Sequence, residues 1–246
     1  MPSKNETTIV LAHGAWADGS SWEKIIRGLR AEGLKSVAVP LPLTALTDDV
    51  AALDRVIERV GGPIVLVGHA YAGAVIGQTR SENVKALVYV AALAPDEGET
   101  VADVFYHAAP HQAAPKLAPD ENGLIWLPEE AFSAAFAPHA SSEEQAVLFA
   151  VQRPIALSCI STKVGRPLWK DRPSWFLLAE ADHMIVPATQ RLMAARMKAT
   201  VRSHAVDHTP SVTAPHLVVD MILEVVCTVG ASPLGRERSH PALKGV

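Results

Sequence analysis

The chain has 246 residues, 49% of them hydrophobic and 20% charged, with a formal net charge of −4 at pH 7. That is enough to bury one substantial core, and it fits a single globular domain with room for an inserted subdomain. The mild acidity without a basic stripe excludes nucleic acid as an expected partner, and no apolar run approaches the length of a membrane span.

The first residues, Met-Pro-Ser-Lys-Asn-Glu, lack the apolar core of a signal peptide. Cys159 and Cys227 are too few for a disulfide framework and leave one bond open, so the expectation is a reduced, cytoplasmic protein. Residues 7–12 read as the first core strand, ending at His13-Gly14. After the loop 15–19, Ser20 with Glu23 three residues on has the form of a capping box. Trp22, Ile25, Ile26 and Leu29 recur at helical spacing, and Gly33 closes that helix. Residues 36–39 are a second strand, stopped by Pro40 and Pro42. Residues 48–60 form an amphipathic helix with Val50, Leu53, Val56, Ile57 and Val60 inward. The wholly apolar run 64–67 suits a strand buried on both faces of a parallel sheet, and 84–92 is a fourth strand.

From Pro95 to about Pro173 prolines and alanines are frequent and helices short. Residues 129–136 and 142–151 are predicted helices, and no strand is expected before Ile155. We read 95–171 as an inserted helical cap. Regular structure returns with a strand at 175–179, a helix at 187–197, a strand at 200–206 and a helix at 214–226. The core is therefore 1–94 with 172–229, and 230–246 reads as a tail. Alternating strands and helices imply an α/β fold with a mostly parallel central sheet and right-handed crossovers.

The stretch around which the rest is organised is Gly68-His69-Ala70-Tyr71-Ala72-Gly73. Small residues on either side of one central position fit a chain that reverses sharply from strand to helix, lifting residue 70 above the sheet. The motif G-x-S-x-G would place serine at 70 and glycine at 72, where this chain has alanine at both. Ala72 is a mild departure, whereas Ala70 has no atom able to attack a carbonyl.

With His13-Gly14-Ala15 upstream, this stretch resembles the α/β-hydrolase superfamily, and most closely its small esterase and hydroxynitrile-lyase branch. The resemblance covers most of residues 7–229, more weakly in the middle. It implies a chain order of nucleophile, acid and histidine, which Ala70, Asp182 and His208 follow. Asp182 lies three residues beyond the strand 175–179 and His208 just after the last strand, so the acid would hold the imidazole that acts as base. Glu180 is the rival acid, and a turn carboxylate is the plain alternative for Asp182. Residues 200–206 read as strand, so His204 and His208 do not share a helix face, and no metal is expected. By the same likeness the oxyanion donors would be the backbone N–H groups of Ala15 and Tyr71. His13 would bond its own loop, and His69 would pack or orient. Trp16, Trp126 and Phe136 are the candidate substrate-binding aromatics, with Trp16 equally suited to packing.

The reading that follows is a carboxylic-ester hydrolase with a Ser-His-Asp triad and an acyl-enzyme mechanism, inactivated here by a Ser→Ala change at position 70. The plant hydroxynitrile lyases of this branch carry threonine after the first histidine and lysine after the catalytic one, where this chain has Gly14 and Thr209. A cofactor-free dioxygenase using the His-Asp pair, and a ligand-binding protein on the same fold, are the alternatives that Ala70 also accommodates. The implied partner is a small-molecule ester. No cofactor is implied, and the sequence sets no oligomeric state.

Overall fold

The computed structural model describes residues 7–231, in which the apolar runs become eight strands. These are β1 (Thr8–Ala12), β2 (Lys35–Val39), β3 (Ile64–His69), β4 (Val84–Val90), β5 (Leu124–Ile125), β6 (Ile155–Ala156), β7 (Ser174–Ala179) and β8 (Thr200–His204). Six of them form one sheet, in the order β2-β1-β3-β4-β7-β8 with every pairing parallel. Strands β1, β3 and β7 are buried along their whole length, which is why each carries an unbroken run of four or five apolar residues. The edge strands β2 and β8 show mostly exposed or half-buried residues instead.

The helices are α1 (Glu23–Ala31), α2 (Leu46–Val60), α3 (Ala72–Gln78), α4 (Val101–Phe105), α5 (Glu129–Ala131), α6 (Ser142–Ala150), α7 (Leu157–Ser161), α8 (Pro187–Arg196), α9 (Pro210–Thr213) and α10 (Pro215–Ala231). Alternate strand residues feed two core layers. Ile9, Leu11, Val65, Val67, Val88 and Leu177 share one with Ile25, Leu29, Ile222 and Val225 of α1 and α10. Val10, Leu66, Leu87, Tyr89, Phe176 and Leu178 share the other with Leu53, Ile57, Val75 and Ile76 of α2 and α3. The inserted segment between β4 and β7 packs on this second layer through Phe132, Phe136 and Leu148.

Several local expectations are corrected. The Ser20–Glu23 capping box does not form. Asp18 caps instead, its carboxylate accepting the Ser20 N–H at 2.8 Å, because a 3₁₀ turn over Gly19–Trp22 precedes α1. The predicted helix 129–136 is α only to Ala131 and then widens into a π turn over Phe132–Phe136, whose first carbonyl accepts the Ala137 N–H. A strand does precede Ile155: Leu124–Ile125 pairs antiparallel with Ile155–Ala156, a two-residue ladder too short to show any period. The last helix runs on to Ala231, so residues 230 and 231 are helical, and the remainder of the expected tail lies outside the described residues. Cys159 is buried, Cys227 exposed, and both are free thiols. Among the described residues no helix is long and apolar enough to cross a membrane.

Candidate active site

The turn from β3 into α3 is made possible by two glycines. A Cβ at Gly73 would lie 2.3 Å from the Leu93 carbonyl oxygen, and one at Gly68 would lie 2.9 Å from that of Ala72. No side chain fits either place, so helix and strand meet backbone to backbone. Ala70 at the tip has φ +49°, a left-handed conformation that costs a non-glycine residue roughly 1–2 kcal/mol. The turn is held by the Ala70 carbonyl, which accepts the N–H groups of Gly73 at 3.1 Å and Leu93 at 2.9 Å.

Asp182 and His208 meet beside it. The His208 Nδ1 lies 2.9 Å from Asp182 Oδ2, and both side chains are buried. The carboxylate also accepts the N–H groups of Met184 (2.7 Å) and Ile185 (2.9 Å), and the Gln190 amide at 2.8 Å. Four donors fix its plane, so Asp182 is at once a turn carboxylate and the partner of the imidazole. A carboxylate accepts, so Nδ1 carries the proton and Nε2 of the neutral ring keeps its lone pair. Glu180 turns away into surface contacts with Arg191 and Ser203.

His69 supports His208 from behind. Its Nε2 is 2.7 Å from the His208 carbonyl oxygen, which can only accept, so His69 is the Nε2–H tautomer. Burial, and then the neighbouring His208, hold its pKa down at about 3. His13 likewise donates from Nδ1 to the Gly14 carbonyl at 2.9 Å, and burial lowers its pKa. Asp207, fully buried, accepts the N–H groups of Thr209 and His139 and the Thr213 hydroxyl, tying the His208 loop to the inserted segment.

Among the described residues, the backbone N–H groups of Ala15 and Tyr71 have no internal acceptor. Trp16, which follows Ala15, is left-handed at φ +57°, a strained conformation for a bulky side chain. It is strapped by its N–H to the Arg153 carbonyl (3.0 Å) and by its indole to the Ile125 carbonyl (2.9 Å).

Ala15, Trp16, Ala70, Tyr71 and His208 line one cavity of about 240 Å³. Its far wall comes from the inserted segment through Phe105, Tyr106, Ile125, Ile155, Leu157 and Ile160. No Lys, Arg, Asp or Glu lines it. Two expected ligand aromatics fall elsewhere. Trp126 is 49% exposed and outside the cavity, because Ile125 faces inward and alternation turns its neighbour outward. Phe136 is fully buried behind the cavity, its ring 5.3 Å from that of His208 and 6.4 Å from that of Trp16. Gln190 and Asp207 reach the site through contacts that no local sequence pattern signals.

Residues 9–221 match the model of the alpha/beta hydrolase family. The chain is similar to alpha/beta hydrolase nvfD of Aspergillus novofumigatus, 26% identical over 87% of this chain and 94% of that one. Among solved structures it is similar to polyneuridine aldehyde esterase (18% identity, TM-score 0.78, 89% and 99% of the two chains). It is also similar to a point mutant of tomato methylketone synthase I (18% identity, TM-score 0.79, 91% and 99%). At such identities the structural likenesses establish the fold.

Proposed function

Because this chain belongs to the alpha/beta hydrolase family, we propose that its site is that of a carboxylic-ester hydrolase in which Ala70 replaces the nucleophile serine. An ester is then bound and not turned over. The observation that supports this most is the buried Asp182–His208 pair opening into the same cavity as Ala70 at the tip of a left-handed turn. With serine at 70, its oxygen would attack the ester carbonyl while His208 Nε2 took the proton and returned it to the leaving alcohol. Asp182 would stabilise the imidazolium, and the N–H groups of Ala15 and Tyr71 would receive the oxyanion. With a methyl there, no bond to the carbonyl forms. Segment 95–171 acts as the cap, its apolar wall seating a neutral small-molecule ester. The protein uses no cofactor and works in the cytoplasm, where Cys159 and Cys227 stay reduced. The esterase among its structural relatives fits this reading.

One observation favours a second reading. The free lone pair of His208 beside an inert methyl suits proton abstraction without a nucleophile, as in a cofactor-free dioxygenase. Ala70→Ser separates the two. Losing a serine nucleophile costs about 10⁶ in kcat in a serine protease, on the order of 8 kcal/mol of barrier. On a panel of p-nitrophenyl esters, Ala70→Ser should gain several decades, and His208→Ala in that background should lose them. No gain on any ester refutes the hydrolase reading. Oxygen uptake by the unaltered chain with an aromatic substrate would establish the dioxygenase, and binding without turnover in either protein a receptor.

A further inference from the structure

A second buried carboxylate lies beside the elbow and takes no part in the Asp182–His208 pair. Asp49, in the first turn of α2, is wholly buried, and among the described residues no cation pairs with it. Its Oδ1 accepts the Leu43 N–H at 2.8 Å, and its Oδ2 accepts the Tyr71 phenol at 2.7 Å. The Cys159 thiol of α7 lies 3.7 Å from that same Oδ2. Three separate pieces of chain therefore converge on one side chain: the loop after β2, the residue after the elbow tip, and a helix of the cap. Burial pushes the Tyr71 phenol well up and the Cys159 thiol up to about 12, so both keep their protons at neutral pH and both donate.

The loop it anchors is itself laced to the cap. Leu43 is left-handed at φ +60°, and its carbonyl accepts the Ala156 N–H at 2.9 Å. The Thr44 carbonyl accepts the Ser158 hydroxyl at 2.7 Å. Helix α7, which carries Cys159, also supplies Leu157, Ile160 and Ser161 to the cavity wall. Tyr71 lines the same cavity and offers its unengaged N–H there. Rotating the Tyr71 backbone would pull the phenol off Asp49, and lifting α7 would pull the thiol off it.

We propose that Asp49 is a positioning residue for the oxyanion donor at Tyr71, and that it couples this arm of the elbow to cap helix α7. The inference rests on the oxyanion role given to Tyr71 above, but its test needs no turnover, so a failure of Ala70→Ser to gain activity would leave it standing or falling by itself.

Cys159 is the built-in reporter, with exposed Cys227 as internal reference. In the unaltered chain an aromatic disulfide reagent should label Cys227 quickly and Cys159 slowly. Tyr71→Phe, which keeps the ring and removes one bond, and Asp49→Ala should each speed Cys159 labelling by about tenfold or more, the size of one lost buried hydrogen bond. The double variant should label no faster than Asp49→Ala, since both remove the same contact. Asp49→Asn should partly restore protection, because its oxygen still accepts from Leu43 and its two amide N–H groups can donate to the phenol oxygen and the thiol sulfur. In ¹H–¹⁵N spectra the Tyr71 amide resonance should move in Asp49→Ala and return in Asp49→Asn. Val225→Ala, in the opposite core layer, supplies a destabilised control that should leave Cys159 protected. Unchanged labelling in Tyr71→Phe overturns the coupling, and an unmoved Tyr71 amide in Asp49→Ala overturns the positioning. Equal exposure of Cys159 in Val225→Ala overturns the coupling, since labelling would then report general loosening. Should Asp49→Ala not fold, Tyr71→Phe decides the coupling, and Asp49→Asn must then leave the Tyr71 amide resonance in place or the positioning falls.

Discussion

Replacing His69 with glutamine should remove a specific part of the acid sensitivity of the fold. The folded pKa of His69 is held down at about 3 by burial, against 6.5 in an unfolded chain. Between those values the unfolded chain binds a proton that the native one refuses, so stability rises with pH across that window. It is fully present above about pH 6.5 and is lost progressively as the pH falls toward 3. At about 1.36 kcal/mol per pH unit, going from about pH 7 to about pH 4.5 should cost roughly 2.5 kcal/mol through this one ring. That is a large share of the about 5–15 kcal/mol that holds a typical domain. His13, also lowered by burial, adds in the same direction, and Asp49, raised by burial, opposes it. Both effects cancel when parent and variant are compared. Glutamine suits the site because it cannot titrate and its amide still donates to the His208 carbonyl that His69 now holds at 2.7 Å. Urea unfolding of both proteins at the two pH values gives four free energies. The variant should be the less stable at neutral pH, from lost packing against Trp22, yet should lose roughly 2–3 kcal/mol less on acidification. If the two proteins lose stability in parallel, His69 is not buried as a neutral ring and the account of its role behind His208 fails.

Three further substitutions probe the packing. Phe136→Ala empties a fully buried site behind His208 and Trp16, and should cost about 3–5 kcal/mol in urea unfolding. Trp126→Ala removes an aromatic that faces solvent and should stay within about 0.5 kcal/mol with ligand affinity unchanged; a weakened ligand would return Trp126 to the site. Gly73→Ala forces a methyl to 2.3 Å from a backbone oxygen, so its cost should exceed the roughly 1–3 kcal/mol of ordinary overpacking. A Gly73→Ala protein with parental unfolding would show that the elbow is not closed as described.

The amino-acid sequence by itself determined the layered α/β fold and the location of the elbow. Residues 64–67 of β3 are apolar at every position because both faces are covered, and α1 shows its buried stripe as a period. The chain order of Ala70, Asp182 and His208 was legible only through the likeness to α/β-hydrolases, which implies nucleophile, acid and histidine in that order, each after a strand. Tertiary structure alone decided the rest. A two-residue ladder like β5–β6 is shorter than any period, and the π turn at Phe132–Phe136 has the composition of a helix. Which face Trp126 shows depends on the register of that ladder, so an aromatic expected on the ligand lies in solvent. The partners of Asp182, Asp207 and Asp49 come from residues 8, 68 and 110 positions away, at Gln190, His139 and Cys159. A carboxylate in a sequence looks the same whether it faces water or collects protons from three elements, and only the fold brings those donors to it.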